Sequence, residues 1–118
     1  MKKYIFLAIL LFIISGCGIS TYQDVTIEDA KEMIANGEVE VVDVRTEGEF
    51  AEGHIPDATL MPLQSLEELK TLNKETSYLV VCRSGNRSSQ ASAILAENGF
   101  KEIYYMTGGM NEWDGEIQ

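Results

Sequence analysis

The chain has 118 residues, room for one domain. Its 9 basic and 19 acidic residues leave a net charge of −10, which disfavours nucleic acid and anionic membrane surfaces as partners.

Met1-Lys2-Lys3 is a short basic start, Tyr4 to Ile14 is an unbroken apolar run, and Ser15-Gly16-Cys17 follows. That order is the layout of a secretory signal peptide, here residues 1–16. The run is too short to span a bilayer as a helix, which needs roughly twenty residues; an uncleaved short anchor is the alternative. Cleavage removes Lys2 and Lys3 and no acid, so the charge goes from −10 to −12. The remaining length, about a hundred residues, suffices for one modest core. Ile14-Ser15-Gly16-Cys17 resembles the lipobox of bacterial lipoproteins. The resemblance implies a cut before Cys17 and a lipid on its sulfur. Two or more acyl chains would hold the protein at the membrane, outside the cytoplasm.

Residues 17–24 show no apolar periodicity and read as a polar tether. The folded domain is expected over 25–118. Thr26 caps a helix with Asp29 in the box position and Ala30, Met33 and Ile34 on one face. Asn36-Gly37 stops it. Val39 to Val44 is a β-branched run and predicts a buried strand. Arg45 to Ala58 is polar and carries two glycines and Pro56; Leu60 to Leu63 suggests a short strand. Ser65 and Glu68 repeat the capping pattern before Leu66, Leu69 and Leu72.

Tyr78 to Val81 is a further apolar strand, ending at Cys82. Arg83 to Arg87 reads as a tight loop. Ser88 to Asn98 then has Ala91, Ile94 and Leu95 on one helical face, with Gly99 as the stop. Ile103 to Met106 predicts the last strand, and Gly108-Gly109 turns the chain into a tail with Trp113. Strands alternating with helices predict a three-layer α/β/α domain around a mainly parallel sheet of about five strands.

The chemistry concentrates at Cys82. With Cys17 blocked by lipid, it is a lone thiol in an oxidising compartment. It stands at the carboxyl end of a strand and before a helix, where open α/β sheets bind ligands. Arg83-Ser84-Gly85-Asn86-Arg87-Ser88 has the composition of an anion cradle, with small residues that let backbone N–H groups turn inward. The helix after it adds the positive end of its dipole. A thiol so placed ionises more readily than a free one, and the thiolate is the nucleophile. Two of the three arginines lie in this loop, and Thr76 to Ala96 holds no Asp or Glu. An acidic protein thus keeps one basic island around its cysteine, as an anionic substrate would require.

Three segments resemble the rhodanese-like sulfurtransferase family. They are the Cys82 to Ser88 loop, Asp43-Val44-Arg45 with Glu49-Phe50 and Gly53-His54-Ile55-Pro56, and Gly108-Gly109 with Trp113. The resemblance implies a cycle in which Cys82 takes sulfane sulfur from a donor such as thiosulfate and becomes a persulfide. Cyanide or a thiol, such as one on a redox or sulfur-acceptor protein, then removes that sulfur. No metal or organic cofactor is implied. Arg83 and Arg87 would orient the anionic donor, or Arg87 would brace the loop through its own carbonyls. Asp43, Arg45, Gly53 and His54 are expected to be structural, with Glu47, Glu49 and Glu52 near Arg45 to pair with it. Trp113, Met106 and Met110 are expected to pack.

Two other functions compete. A Cys-based phosphatase or arsenate reductase also places Cys and Arg around an anion loop. Arg87 stands only five positions after Cys82, a more compact cradle than those enzymes use. A non-enzymatic persulfide carrier or partner-binding redox module is the second.

Overall fold

Residues 21–118 are described by the structure, a computed structural model; Cys17 and the expected signal peptide lie outside the described residues. The elements run β1 (Gln23–Val25), α1 (Ile27–Ala35), β2 (Glu40–Asp43), α2 (Glu47–Glu52) and β3 (Thr59–Leu60). A 3₁₀ turn (Leu63–Ser65) and α3 (Leu66–Leu69) follow, then β4 (Ser77–Val81), α4 (Asn86–Glu97), β5 (Glu102–Met106) and α5 (Gly109–Glu112). The five strands form one sheet in the order β1-β5-β4-β2-β3, with every pairing parallel.

Period-two alternation sends successive strand residues to opposite faces. Val42, Tyr78, Val80 and Cys82 pack on one face with Ala91 and Leu95 of α4 and with Leu69 of α3. Val41, Leu79 and Val81 pack on the other with Ala30 of α1, Ile55 and Met106, and with Met110 and Trp113 near the chain's end. The sheet is therefore covered on both sides, which is why β2 and β4 read as continuous apolar runs. Thr26 caps α1 by accepting the Asp29 N–H at 3.1 Å.

Several elements differ from expectation. β3 is Thr59–Leu60, and Leu63 opens the 3₁₀ turn where a strand over Leu60 to Leu63 was expected. β1 begins at Gln23, inside the segment read as tether, and pairs Gln23 with Tyr104 and Val25 with Met106. Two of its three residues are polar and exposed, so backbone pairing holds it and no apolar pattern announces it. The polar stretch after Arg45 contains α2, capped by a reciprocal box between Thr46 and Glu49. None of its residues is fully buried, so it has no apolar period to read. α4 starts at Asn86, with Gly85 as its N-cap in the left-handed region, two residues before the expected start. The tail after Gly108 opens with a helical turn, α5.

Candidate active site

β4 ends at Val81, and Cys82 is the first residue beyond the sheet edge, 1% exposed. Gly85 takes φ = +107°, which swings the chain back over the sulfur and starts α4. Its N–H then donates to Cys82 Sγ at 3.0 Å. The Sγ–H donates in turn to Ser88 Oγ at 3.4 Å, and Ser88 Oγ donates to the Gly85 carbonyl at 3.1 Å. Burial pushes the thiol pKa up. The Ser88 hydroxyl and the N–H groups of Ser88, Gly85 and Ser84 outweigh it, and the pKa falls below its ordinary value. The loop is thus a cradle of donors closing on one sulfur, and what it favours is a thiolate.

The back of the loop rests on α5. Met110 N–H donates to the Cys82 carbonyl at 2.8 Å, and Asn111 N–H to that of Arg83 at 2.9 Å. This approach needs Gly109: a Cβ there would lie 2.5 Å from Cys82 O and from Arg83 C and O.

The arginines have a partner that lies far off in the chain. Arg87 holds both oxygens of Glu49, Nη1 to Oε1 at 2.9 Å and Nη2 to Oε2 at 3.0 Å. Arg83, 64% exposed at its side chain, lies 3.7 Å from the same carboxylate. The basic island is acid-free only along the chain; in space α2 delivers Glu49 to its centre. Arg87 therefore braces the loop through Glu49 and not through the loop's own carbonyls. Nothing in the order of residues pairs positions 49 and 87, but the Thr46-x-x-Glu49 box was a readable sign of the helix that presents Glu49.

Arg45 also takes a partner other than the acids expected near it. Its Nε and Nη2 bind Asp43 at 2.8–3.1 Å, and Nη2 also donates to the Gly53 carbonyl at 2.8 Å. Asp43 is fully buried beside it. A fully enclosed carboxylate requires such a counter-ion, and the pair ties the end of β2 to the end of α2. His54 Nδ1 donates to the Phe50 carbonyl at 2.9 Å, and its ring stacks on Phe50 at 3.6 Å. These four residues fasten the end of α2, the helix that carries Glu49.

Beside the loop lies a cleft of about 280 Å³, with Arg83 and Glu49 at its border with the loop. Glu52 adds a second carboxylate, and Met110, Trp113 and Ile117 give apolar wall. Met110 and Trp113 thus both pack on the core and face the cleft. Met106 is wholly core.

Residues 26–116 match the model of the rhodanese-like domain. The chain belongs to the rhodanese-like family. It is 41% identical over 90 residues to YtwF, a candidate sulfurtransferase of Bacillus subtilis, covering 75% of this chain and 86% of that one. It is 36% identical over 95 residues to the thiosulfate sulfurtransferase GlpE of Ectopseudomonas mendocina, covering 80% and 86%. Among solved structures, a rhodanese-related protein from Thermoplasma volcanium superposes with a TM-score of 0.76 at 30% identity, over 82% of this chain and 98% of that one. The rhodanese-like fold expected from the three segments is the fold observed. Sulfur transfer in general, between a sulfur donor and a sulfur acceptor, is the activity that this membership and these relatives support.

Proposed function

We propose that the protein is a thiosulfate sulfurtransferase of the rhodanese type, working through a persulfide on Cys82. The observation that carries this reading is one buried sulfur that accepts from the Gly85 N–H at 3.0 Å and lies 3.4 Å from the Ser88 hydroxyl. The Cys82 thiolate attacks the outer sulfur of thiosulfate. A sulfur–sulfur bond forms on Cys82, the donor's sulfur–sulfur bond breaks, and sulfite leaves with its electron pair. Cyanide or a thiol then attacks the outer sulfur of the persulfide and leaves as thiocyanate or a new persulfide, which restores the thiolate. The loop N–H groups of Ser84, Gly85 and Ser88 stabilise the anion in both states, and Arg83 draws the anionic donor to the mouth of the loop.

Serine at position 82 keeps the loop but holds no sulfane sulfur. Cys82→Ser is expected to fold like the wild type and to lose thiosulfate-to-cyanide transfer entirely. A mass spectrum of the wild type after thiosulfate should show one added sulfur on Cys82 and none on the variant. A folded variant transferring sulfur at the wild-type rate overturns the mechanism. A partner-binding module would show neither adduct nor turnover.

The same proposal includes location. The Ile14 to Cys17 pattern supports a lipid on Cys17 and a protein held on the outer side of the cytoplasmic membrane. Metabolic labelling with a fatty acid should mark the wild type and leave Cys17→Ala as an unlabelled precursor. An unlabelled, soluble wild type would end that assignment.

A further inference from the structure

After α5 the chain has no regular structure, yet residues 114–118 are tied down at both ends. Asp114 pairs with Lys31 of α1 at 2.9 Å. The Gln118 N–H donates to the His54 carbonyl at 2.7 Å, and the Gln118 carbonyl accepts the His54 N–H at 3.3 Å. The Gln118 side-chain oxygen accepts the Asp57 N–H at 3.2 Å. Between these ties Gly115 crosses the Trp113 ring, where a Cβ would lie 2.5 Å from Cζ2. The Trp113 indole N–H donates to the Glu116 carbonyl at 2.9 Å. Ile117 rests over Gly53, its Cδ1 3.2 Å from where a Cβ on that glycine would stand. The segment is a partition between two cavities. On one side lies the cleft of about 280 Å³ beside the Cys82 loop, walled by Trp113 and Ile117. On the other lies a groove of about 400 Å³ between Ile34, Ile55 and Pro56, walled by the same Trp113 with Gly115 and Glu116.

What holds the partition is weak. Ile117 is 60% exposed and buries little apolar area. The Asp114 side chain is 67% exposed, and an ion pair so wetted contributes little. Segments fixed by few apolar contacts and by exposed hydrogen bonds open locally, far more often than the whole domain unfolds. The cleft of about 280 Å³ lies just under the roughly 300–1,000 Å³ of sites for drug-sized ligands. It takes a small ion, whereas a thiol carried on a protein brings more chain than it holds. We propose that residues 114–118 are a strap whose local opening joins the cleft to the groove behind Trp113 and admits to Cys82 molecules too large for the closed cleft. Transfer of sulfur to a protein thiol then requires the open strap, and transfer to cyanide does not. That consequence, unlike the strap itself, rests on the Cys82 persulfide reading.

Two variants test it. Lys31→Gln and Asp114→Asn each break the 2.9 Å pair, and they change the net charge in opposite senses. In the wild type, hydrogen exchange at the His54 amide and the Trp113 indole N–H should be far faster than at the Leu79 amide in the middle of β4. Both variants should speed those two sites together, by about two- to fivefold. Cys82 is then alkylated with iodoacetamide and with a maleimide on a polyethylene glycol chain, and the product is read at Cys82 by peptide mass. The bulky reagent should gain the same factor of about two to five in both variants, and iodoacetamide should gain nothing. No gain for the bulky reagent, equal gains for both reagents, or opposite effects of the two variants would overturn the strap. Exchange at His54 and Trp113 as slow as at Leu79 would overturn it too, since the tail would then leave only when the whole domain unfolds. None of these measurements needs sulfur transfer. A protein that alkylates as expected but forms no persulfide would end the persulfide reading and leave the strap standing.

Discussion

Ser88 is the side chain on which the charge state of the sulfur turns. While Cys82 is a thiol, its S–H donates to Ser88 Oγ and the Ser88 hydroxyl donates to the Gly85 carbonyl. A thiolate has no proton to give, so the hydroxyl must swing round and donate to the sulfur. Gly85 O is not orphaned by that swing, because the Ser89 N–H reaches it at 3.1 Å. One rotor thus answers either charge state without leaving a buried acceptor bare. The hydroxyl is the foremost of the groups that lower the thiol pKa against the upward push of burial. Ser88→Ala should therefore move the pH dependence of Cys82 alkylation to higher pH and slow alkylation several-fold at neutral pH. Iodoacetamide kinetics across pH measure both. An unmoved profile would mean that the backbone N–H groups alone hold the thiolate.

The loop is as well placed as the elements behind it, and α5 is the one in direct backbone contact. A methyl group on Gly109 has nowhere to go: the atoms 2.5 Å away are main chain of Cys82 and Arg83, which no rotamer change can move. Gly109→Ala should push α5 from the loop and break the Met110 and Asn111 hydrogen bonds. The expected cost is about 1–3 kcal/mol in urea unfolding, with sulfur transfer falling further than that loss of stability explains. β4, Cys82 and α4 were legible in the sequence because a β-branched run, a tight loop and a helical face each follow a local period. α2 and α5 were not. The one has no fully buried residue and the other is four residues long, so tertiary contacts define them and no repeat does. The pairing of Arg87 with Glu49 spans 38 positions. An acid-free stretch of sequence says nothing about acids that another element brings across space.

An acidic protein of net charge −10 relieves self-repulsion as it is protonated, yet one carboxylate acts in the opposite sense. Glu49 has its pKa lowered from 4.5 to about 2 in the folded protein. Its contribution to stability is complete above about 4.5 and is lost as pH falls towards about 2. The stability gap between the wild type and Glu49→Gln should be constant at neutral pH, narrow below 4.5 and close near 2. Subtracting the two urea-midpoint curves removes the general charge effect common to both. A gap independent of pH would show that the ion pair contributes nothing to folding. The order of the strands has a consequence in time. β1 has β5 as its neighbour, so Gln23 to Val25 wait for Tyr104 to Met106. During synthesis the first strand emerges about eighty residues before its partner, and loop closure over that length precedes the reward of pairing. One flank of the sheet can be completed only after Tyr104 to Met106 have been synthesised, so the native sheet is finished late.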